Sequence, residues 1–273
     1  MTDSPSRSWA RMPPRDRRAL ARRDPVAILP LGATEQHGPH LPLTTDNDIN
    51  RGLLERALAR IPPDLPITVC EPVDIGASDE HLDDPNAGSS GQGTVSIGAD
   101  GMKSRILREG RKLARAGVRR LVLHNSHGGN RHAMEIAALD LRRRQRMLVV
   151  SASWFRFGRP HDVDLPESEW RHGLHGGAVE TAMMLHLHPD RVRTRWIRRF
   201  ASIGEELAQA GSTIGPEAAA PFAWMAWDLN PNGVVGDATL ATPVLGRRLV
   251  EYYGGTLAAV IRDARAFPLD RLV

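Results

Sequence analysis

Residues 26–46 read VAILPLGATEQHGPHLPLTTD, and this stretch decides the reading of the chain. Its first six residues are an apolar run ending at a glycine, so they read as a short buried strand. A loop of glycines, prolines and polar side chains follows, carrying Glu35, His37 and Asp46. In sheets built from strand–helix units, functional loops leave the carboxyl ends of the strands, and this loop sits in such a place. Glu35 and His37 are two residues apart, so extended backbone puts both side chains on one side. Asp46 lies across a loop that can fold back. Imidazole and carboxylate together suit a borderline divalent ion such as zinc, manganese or ferrous iron. Two carboxylates and several histidines can hold two ions, with one carboxylate bridging. The alternative is a set of capping and loop-stapling polar groups.

Outward from this stretch, strand and helix patterns alternate. Residues 47–60 read as a helix with Asp46 or Asn47 as its cap. Residues 67–73 read as a second strand, and 76–93, rich in Gly, Ser and Asp, as a loop. Helices are expected at 100–116, 131–144, 176–187 and 243–265, and further strands at 118–124 and 147–153. Met102, Ile106, Leu107, Leu113 and Ala114 form the apolar side of the first of these helices. Alternation of this kind implies a mostly parallel sheet with helices on both faces, an α/β fold. Residues 25–273 read as one domain, with 155–174 as its longest irregular connection, and residues 1–24 as an arginine-rich arm.

Two more polar clusters occupy strand ends or helix starts. Residues 124–130, HNSHGGN, follow the third strand. There His127 is the candidate ligand, Gly128 and Gly129 leave the backbone open to close approach, and Asn130 caps the next helix or donates inside the site. His124 reads as internal to its strand. Residues 175–181, HGGAVET, open a helix and offer Glu180 as a ligand and His175 as a proton carrier. His132, His161, His172, His186 and His188 have no such company and read as surface or packing residues.

Composition narrows the function classes. The chain has 273 residues, a net charge of +4, 11 histidines and one cysteine, Cys70. Its basic isoelectric point of about 9.9 follows from having only two lysines and two tyrosines, so few groups titrate between neutral pH and the arginine range. The arginines are scattered over helix faces, as at Arg142, Arg143 and Arg144, and no aromatic-rich strand offers base stacking, so no nucleic-acid partner is expected. No apolar run is long enough to span a bilayer, so no membrane association is expected. A single cysteine and the lack of a secretory pattern suggest the cytoplasm.

The three clusters together resemble the creatininase family, creatinine amidohydrolase and its relatives. The stretch from Glu35 to Asp46 is similar to the family's E-Q-H-G-P-H-L-P-L-x-T-D, His127 to Asn130 to its H-G-G-N, and His175 to Thr181 to its H-x-G-x-x-E-T. Residues 232–242, NGVVGDATLAT, resemble its N-G-x-x-G-D-P-x-x-A-T, with Ala238 for the usual proline. The resemblance implies a three-layer α/β/α sandwich, a dinuclear metal site and a homo-oligomer, often a hexamer. Carried over by position, Glu35 and His127 bind one ion, His37 the other, and Asp46 bridges both. Creatininase takes a further ligand from a glutamate at the position of Gly129, which this chain lacks; relatives with H-G-G-N use the one matching Glu180 instead. His175 matches the family's catalytic histidine. Ser78, His81, Asn130 and Trp154 are the expected substrate-binding residues, with a plain core role as the alternative for Trp154. After Ser78–Leu82 the family continues F-P-G-T, where this chain has an insertion over 83–94, with Asp84 at a position that is usually aromatic, in a loop expected to border the site.

The expected function is therefore hydrolysis of a C–N bond in a small cyclic amide or formamide. Two divalent ions, zinc first and manganese or iron next, activate a water, and His175 passes a proton to the departing nitrogen. A peptidase of the kind that trims the mycofactocin precursor is the alternative within the family. A serine hydrolase built on Ser126 lacks the G-x-S-x-G elbow. A non-catalytic metal- or polyanion-binding protein is the alternative of another class.

Overall fold

The computed structural model describes residues 7–82 and 93–272. Four parallel strands form the central sheet in the order β2-β1-β3-β4: β1 Val26–Leu31, β2 Ile67–Val69, β3 Arg120–Asn125 and β4 Leu148–Ser153. The helices are α1 Pro14–Ala21, α2 Thr45–Leu58, α3 Gly98–Arg115, α4 Asn130–Gln145, α5 Glu167–His172, α6 Ala178–Leu187, α7 Ile203–Gln209, α8 Ala226–Leu229 and α9 Pro243–Ala266. Short strands β5 Arg199–Phe200 and β8 Gly236–Asp237 pair antiparallel, and β6 Ile214–Gly215 lies beside β7 Ala220–Pro221.

Side chains that alternate along each strand divide between two apolar layers. Ala27, Leu29 and Leu31 of β1, with Leu121 and Leu123 of β3, pack against Met102, Ile106, Leu113, Ala133, Ala137 and Leu141 of α3 and α4. Val26, Ile28 and Val122 turn the other way, onto Leu54 and Ala57 of α2 and Leu257, Ala258 and Ile261 of α9. This is the α/β/α arrangement that the alternation implied. Among the described residues, no helix is long and apolar enough to cross a membrane.

Several bounds differ from the sequence reading for physical reasons. Helix α2 starts at Thr45, because Asp46 and Asn47 turn inward and do not cap it. Asn47 Nδ2 donates to the Ala33 and Asp74 carbonyls at 2.7 and 3.0 Å. Strand β2 stops at Val69, since Pro72 cannot donate to a ladder; Val73 rejoins by donating to the Pro30 carbonyl at 3.0 Å. Helix α6 starts at Ala178, after Gly176 takes a φ of 70°. The connection at 155–174 contains α5, and the longest run of short elements and loops is 188–242. Of the expected N-terminal arm, residues 7–24 lie along the sheet: Trp9 N donates to the Val69 carbonyl at 2.8 Å, and its ring packs on the layer under α3. Most of the insertion at 83–94 lies outside the described residues.

The carboxyl ends of β1 and β3 are tied where the polar loops depart. Asn50 Nδ2 lies within hydrogen-bond distance of the Leu31 carbonyl, the His124 carbonyl and Ser126 Oγ at 3.0–3.1 Å. Asn130 spans the same gap from the other side. Its Nδ2 donates to the Gly32 carbonyl and to Asn125 Oδ1, both at 3.1 Å, and its Oδ1 accepts from Ala77 N at 2.9 Å.

Candidate active site

Glu35, His37, Asp46, His127, His175 and Glu180 converge at this end of the sheet, and all are buried. Glu35 and His37 come from the loop after β1, Asp46 from the first turn of α2, and His127 from the loop after β3. His175 and Glu180 lie just before and within the first turn of α6. His127 Nδ1 lies 3.1 Å from Glu35 Oε1 and 3.3 Å from Asp46 Oδ2. His37 Nε2 lies 3.6 Å from Asp46 Oδ1 and 3.9 Å from Glu180 Oε2. Asp46 thus stands between two donor groups, one with Glu35 and His127, the other with His37, Glu180 and His175.

The imidazoles are oriented by carbonyl oxygens. Nδ1–H of His37 donates to the Glu35 carbonyl at 3.1 Å, which leaves Nε2 for the site. Nε2–H of His127 donates to the Ala77 carbonyl at 2.9 Å, leaving Nδ1. Nε2–H of His175 donates to the Gln36 carbonyl at 2.8 Å, so its Nδ1 points at Glu35 Oε1, 3.8 Å away. Backbone carbonyls are the usual outer partners that fix the tautomer of a metal-binding histidine.

Three buried atoms of the cluster, Glu35 Oε2, His37 Nε2 and Asp46 Oδ2, have no hydrogen-bond partner among the described residues. Buried polar atoms without partners are costly, and ligand atoms of Glu35, Asp46 and His127, and likewise of His37, His175 and Glu180, lie within 4.8 Å of one another, a spacing that fits a cation. The donor separations agree, since tetrahedral ligands about 2.1 Å from an ion lie about 3.4 Å apart.

Without an ion, the carboxylates and imidazoles neutralise each other. Burial opposes a charge on His37, but Asp46, Glu180 and Glu35 outweigh it and raise its pKa from 6.5 to about 9. His127 is likewise raised, burial being outweighed by Glu35 and Asp46. Asp46 is buried too, yet the two histidines hold its carboxyl below the ordinary range. Burial raises Glu180. His175 is pushed well below 6.5 by burial and by the neighbouring His37, so it is the neutral imidazole of the group.

A raised folded pKa stabilises fully below the unfolded value and is lost as pH rises through the folded one. The metal-free protein is therefore expected to lose on the order of 3 kcal/mol between about pH 6.5 and pH 9 through His37 alone. The depressed Asp46 acts at the acid end, where its contribution is lost as pH falls. Urea midpoints of chelator-treated protein across this range check the prediction; a midpoint that rises toward pH 9 contradicts it. Metal uptake by the same site releases protons and tightens over the same window.

The remaining expected residues divide. Ser78 and His81 join the cluster: Ser78 Oγ is 3.3 Å from His127 Nε2, and His81 Nε2 is 3.5 Å from Glu35 Oε1. Gln36 Nε2 donates to His81 Nδ1 at 3.1 Å and to the Gly233 carbonyl at 2.6 Å, which sets the His81 tautomer with its N–H toward Glu35. Asn130 is committed to the brace described above. Trp154 is not brought to the cluster; it packs against Tyr253 and Phe155 in the apolar layer under α6 and α9. His124 is buried inside β3, while His132, His161 and His186 are exposed.

Sequence reasoning missed Glu80, although it stands between two flagged residues, Ser78 and His81. Its Oε1 lies 3.6 Å from His127 Nε2. A Cβ on Gly129 would come within 2.2 Å of the Ala77 carbonyl, 2.4 Å of Glu80 Oε1 and 2.6 Å of His127 Nε2. The space a side chain at 129 would need is thus filled by backbone and by the Glu80 carboxylate.

Known proteins share both sequence and fold with this chain. The family model for creatininase, described as creatinine amidohydrolase, matches residues 10–261. The mycofactocin precursor peptide peptidase of Mycobacterium ulcerans is 35% identical over 230 residues, 82% of this chain and 80% of that protein. The creatinine amidohydrolase of Pseudomonas putida is 30% identical over 185 residues, 63% of this chain and 68% of that protein. A solved creatininase mutant is 25% identical with a TM-score of 0.72, covering 94% of this chain and 98% of its own. A manganese form of creatininase shares the fold at 24% identity and a TM-score of 0.71, covering 94% of this chain and 98% of its own.

Proposed function

The chain belongs to the creatininase family of hydrolases, and from that premise we propose that it cuts an amide C–N bond using two divalent ions. Glu35, Asp46 and His127 would hold one ion, and His37, Asp46 and Glu180 the other. The observation that carries this reading is the convergence of Glu35, Asp46 and His127, and of His37, His175 and Glu180, whose ligand atoms within each group lie within 4.8 Å of one another. When bound, ions at such a site polarise the substrate carbonyl and make water acidic enough to attack at neutral pH.

The chain's own groups do the rest. His175 is neutral, and its Nδ1 carries the free lone pair, so it takes the proton released by the attacking water. The same atom then gives that proton to the departing nitrogen. The Gln36 carbonyl holds the ring in place through Nε2–H. His81, fixed by Gln36, points its N–H at Glu35 beside the reacting centre.

A peptide substrate is the second reading, favoured by the greater identity and coverage of the mycofactocin precursor peptidase over the creatinine amidohydrolase. Zinc, manganese and iron all suit the donor set. A cytoplasmic homo-oligomer acting on a small amide completes the proposal, in keeping with a single, buried, unpaired cysteine.

The test is hydrolysis of creatinine, small cyclic amides, formamides and short peptides by chelator-treated protein, alone and after adding zinc or manganese. Activity absent in chelator and restored by metal is expected. Activity undiminished by chelator overturns the reading. Cleavage confined to the peptides selects the second reading.

A further inference from the structure

Glu169 lies in α5, outside every motif read from the sequence, and is only 5% exposed. Its carboxylate accepts two short hydrogen bonds from backbone: Ala178 N donates to Oε1 and Asp237 N to Oε2, both at 2.6 Å. Glycines close around it. A Cβ at Gly173, Gly177 or Gly236 would come within 2.3, 2.5 or 2.9 Å of Oε1, and Gly236 also holds a φ of 122° that other residues rarely adopt.

These two amides are well placed. Ala178 opens α6, whose first turn carries Glu180. Asp237 ends the segment in which Val235 N donates to the His175 carbonyl at 2.8 Å. One buried carboxylate therefore ties together the two backbone segments that hold His175 and Glu180. An ionised acceptor makes stronger bonds to N–H groups than a neutral one, and the two amides oppose, without cancelling, the rise that burial gives the Glu169 carboxyl.

We propose that Glu169 is a positioning residue that sets His175 and Glu180 against His37 and Asp46. It acts through backbone and touches none of the reacting groups. The inference rests on the metal-hydrolase reading given above, and its test is chosen so that the two can fail separately.

Glu169→Gln keeps the shape of the side chain, but its oxygen can accept from only one of the two amides. The full-length variant and wild type would be titrated with Mn²⁺ alone, and amide hydrogen exchange followed over residues 175–180 and 235–237. One Mn²⁺ is expected to bind as in wild type and the second about tenfold more weakly, the scale of outer-layer effects on metal sites. Exchange in the two segments is expected to speed up about tenfold as the local tie loosens, with the melting temperature nearly unchanged. Both effects are required, and either one within twofold of wild type overturns the proposal. A melting temperature lower by more than about 10 °C also overturns it, because the carboxylate then supports the whole fold. If wild type takes up no second ion, the dinuclear reading fails, and exchange alone decides whether Glu169 holds the segments.

Discussion

Replacing His175 by alanine is expected to lower turnover by about 10²–10⁴-fold, the contribution of a positioned general acid–base, with bound metal near the wild-type level. The variant separates a proton carrier from a metal ligand. His175 lies beside the group of Glu35, Asp46 and His127, its Nδ1 3.8 Å from Glu35 Oε1, and within reach of His37 and Glu180, its ring 4.1 Å from that of His37. Glu35, Asp46 and His127 assemble without it. Elemental analysis beside steady-state kinetics makes the check. Loss of one ion in the variant would make His175 a ligand, and turnover within tenfold of wild type would remove it from the proton path.

Asp46→Asn is expected to have the larger effect, abolishing at least one ion and lowering turnover on the order of 10³-fold or more. Asp46 faces the site nitrogens of two histidines, His37 Nε2 at 3.6 Å and His127 Nδ1 at 3.3 Å. An amide keeps its shape but supplies neither the charge nor the bridging capacity. The same change removes the partner that most favours the charged form of His37, so the His37 pKa falls in the metal-free protein. The loss of stability between about pH 6.5 and pH 9 therefore shrinks in this variant. Full metal content and wild-type turnover in Asp46→Asn would refute the bridging role.

Much of this arrangement was legible in the residues. The apolar run VAILPL, the alternation of strand and helix patterns beyond it and the polar loop behind it led to a parallel sheet with a site at its carboxyl edge, and Glu35, His37, Asp46 and His127 do meet there. Glu35, His37 and Asp46 were readable because they share one loop, and His127 because it follows a strand end and precedes two glycines. Trp154 was not readable, since an aromatic after a strand packs equally well into a core or a pocket, and here it packs against Tyr253. Asn130 carries no sign of whether its amide serves a ligand or the backbone; here it serves Gly32, Asn125 and Ala77. Glu80 and Glu169 were silent because their importance comes from neighbours far along the chain, Gly129 for one and Asp237 for the other. Pro72 announced the early end of β2, yet the apolar residues around it masked the break.

Gly129 bears on how this site can change over generations. A glutamate at position 129 does not fit the backbone as it stands. Any side chain at 129 meets the Ala77 carbonyl, an obstacle of main chain that no rotamer can relieve. The 77–80 turn must shift first, and that turn also holds the His127 ring through the same carbonyl. A carboxylate supplied from position 129 and the present turn, which carries Glu80 and holds His127, therefore exclude each other.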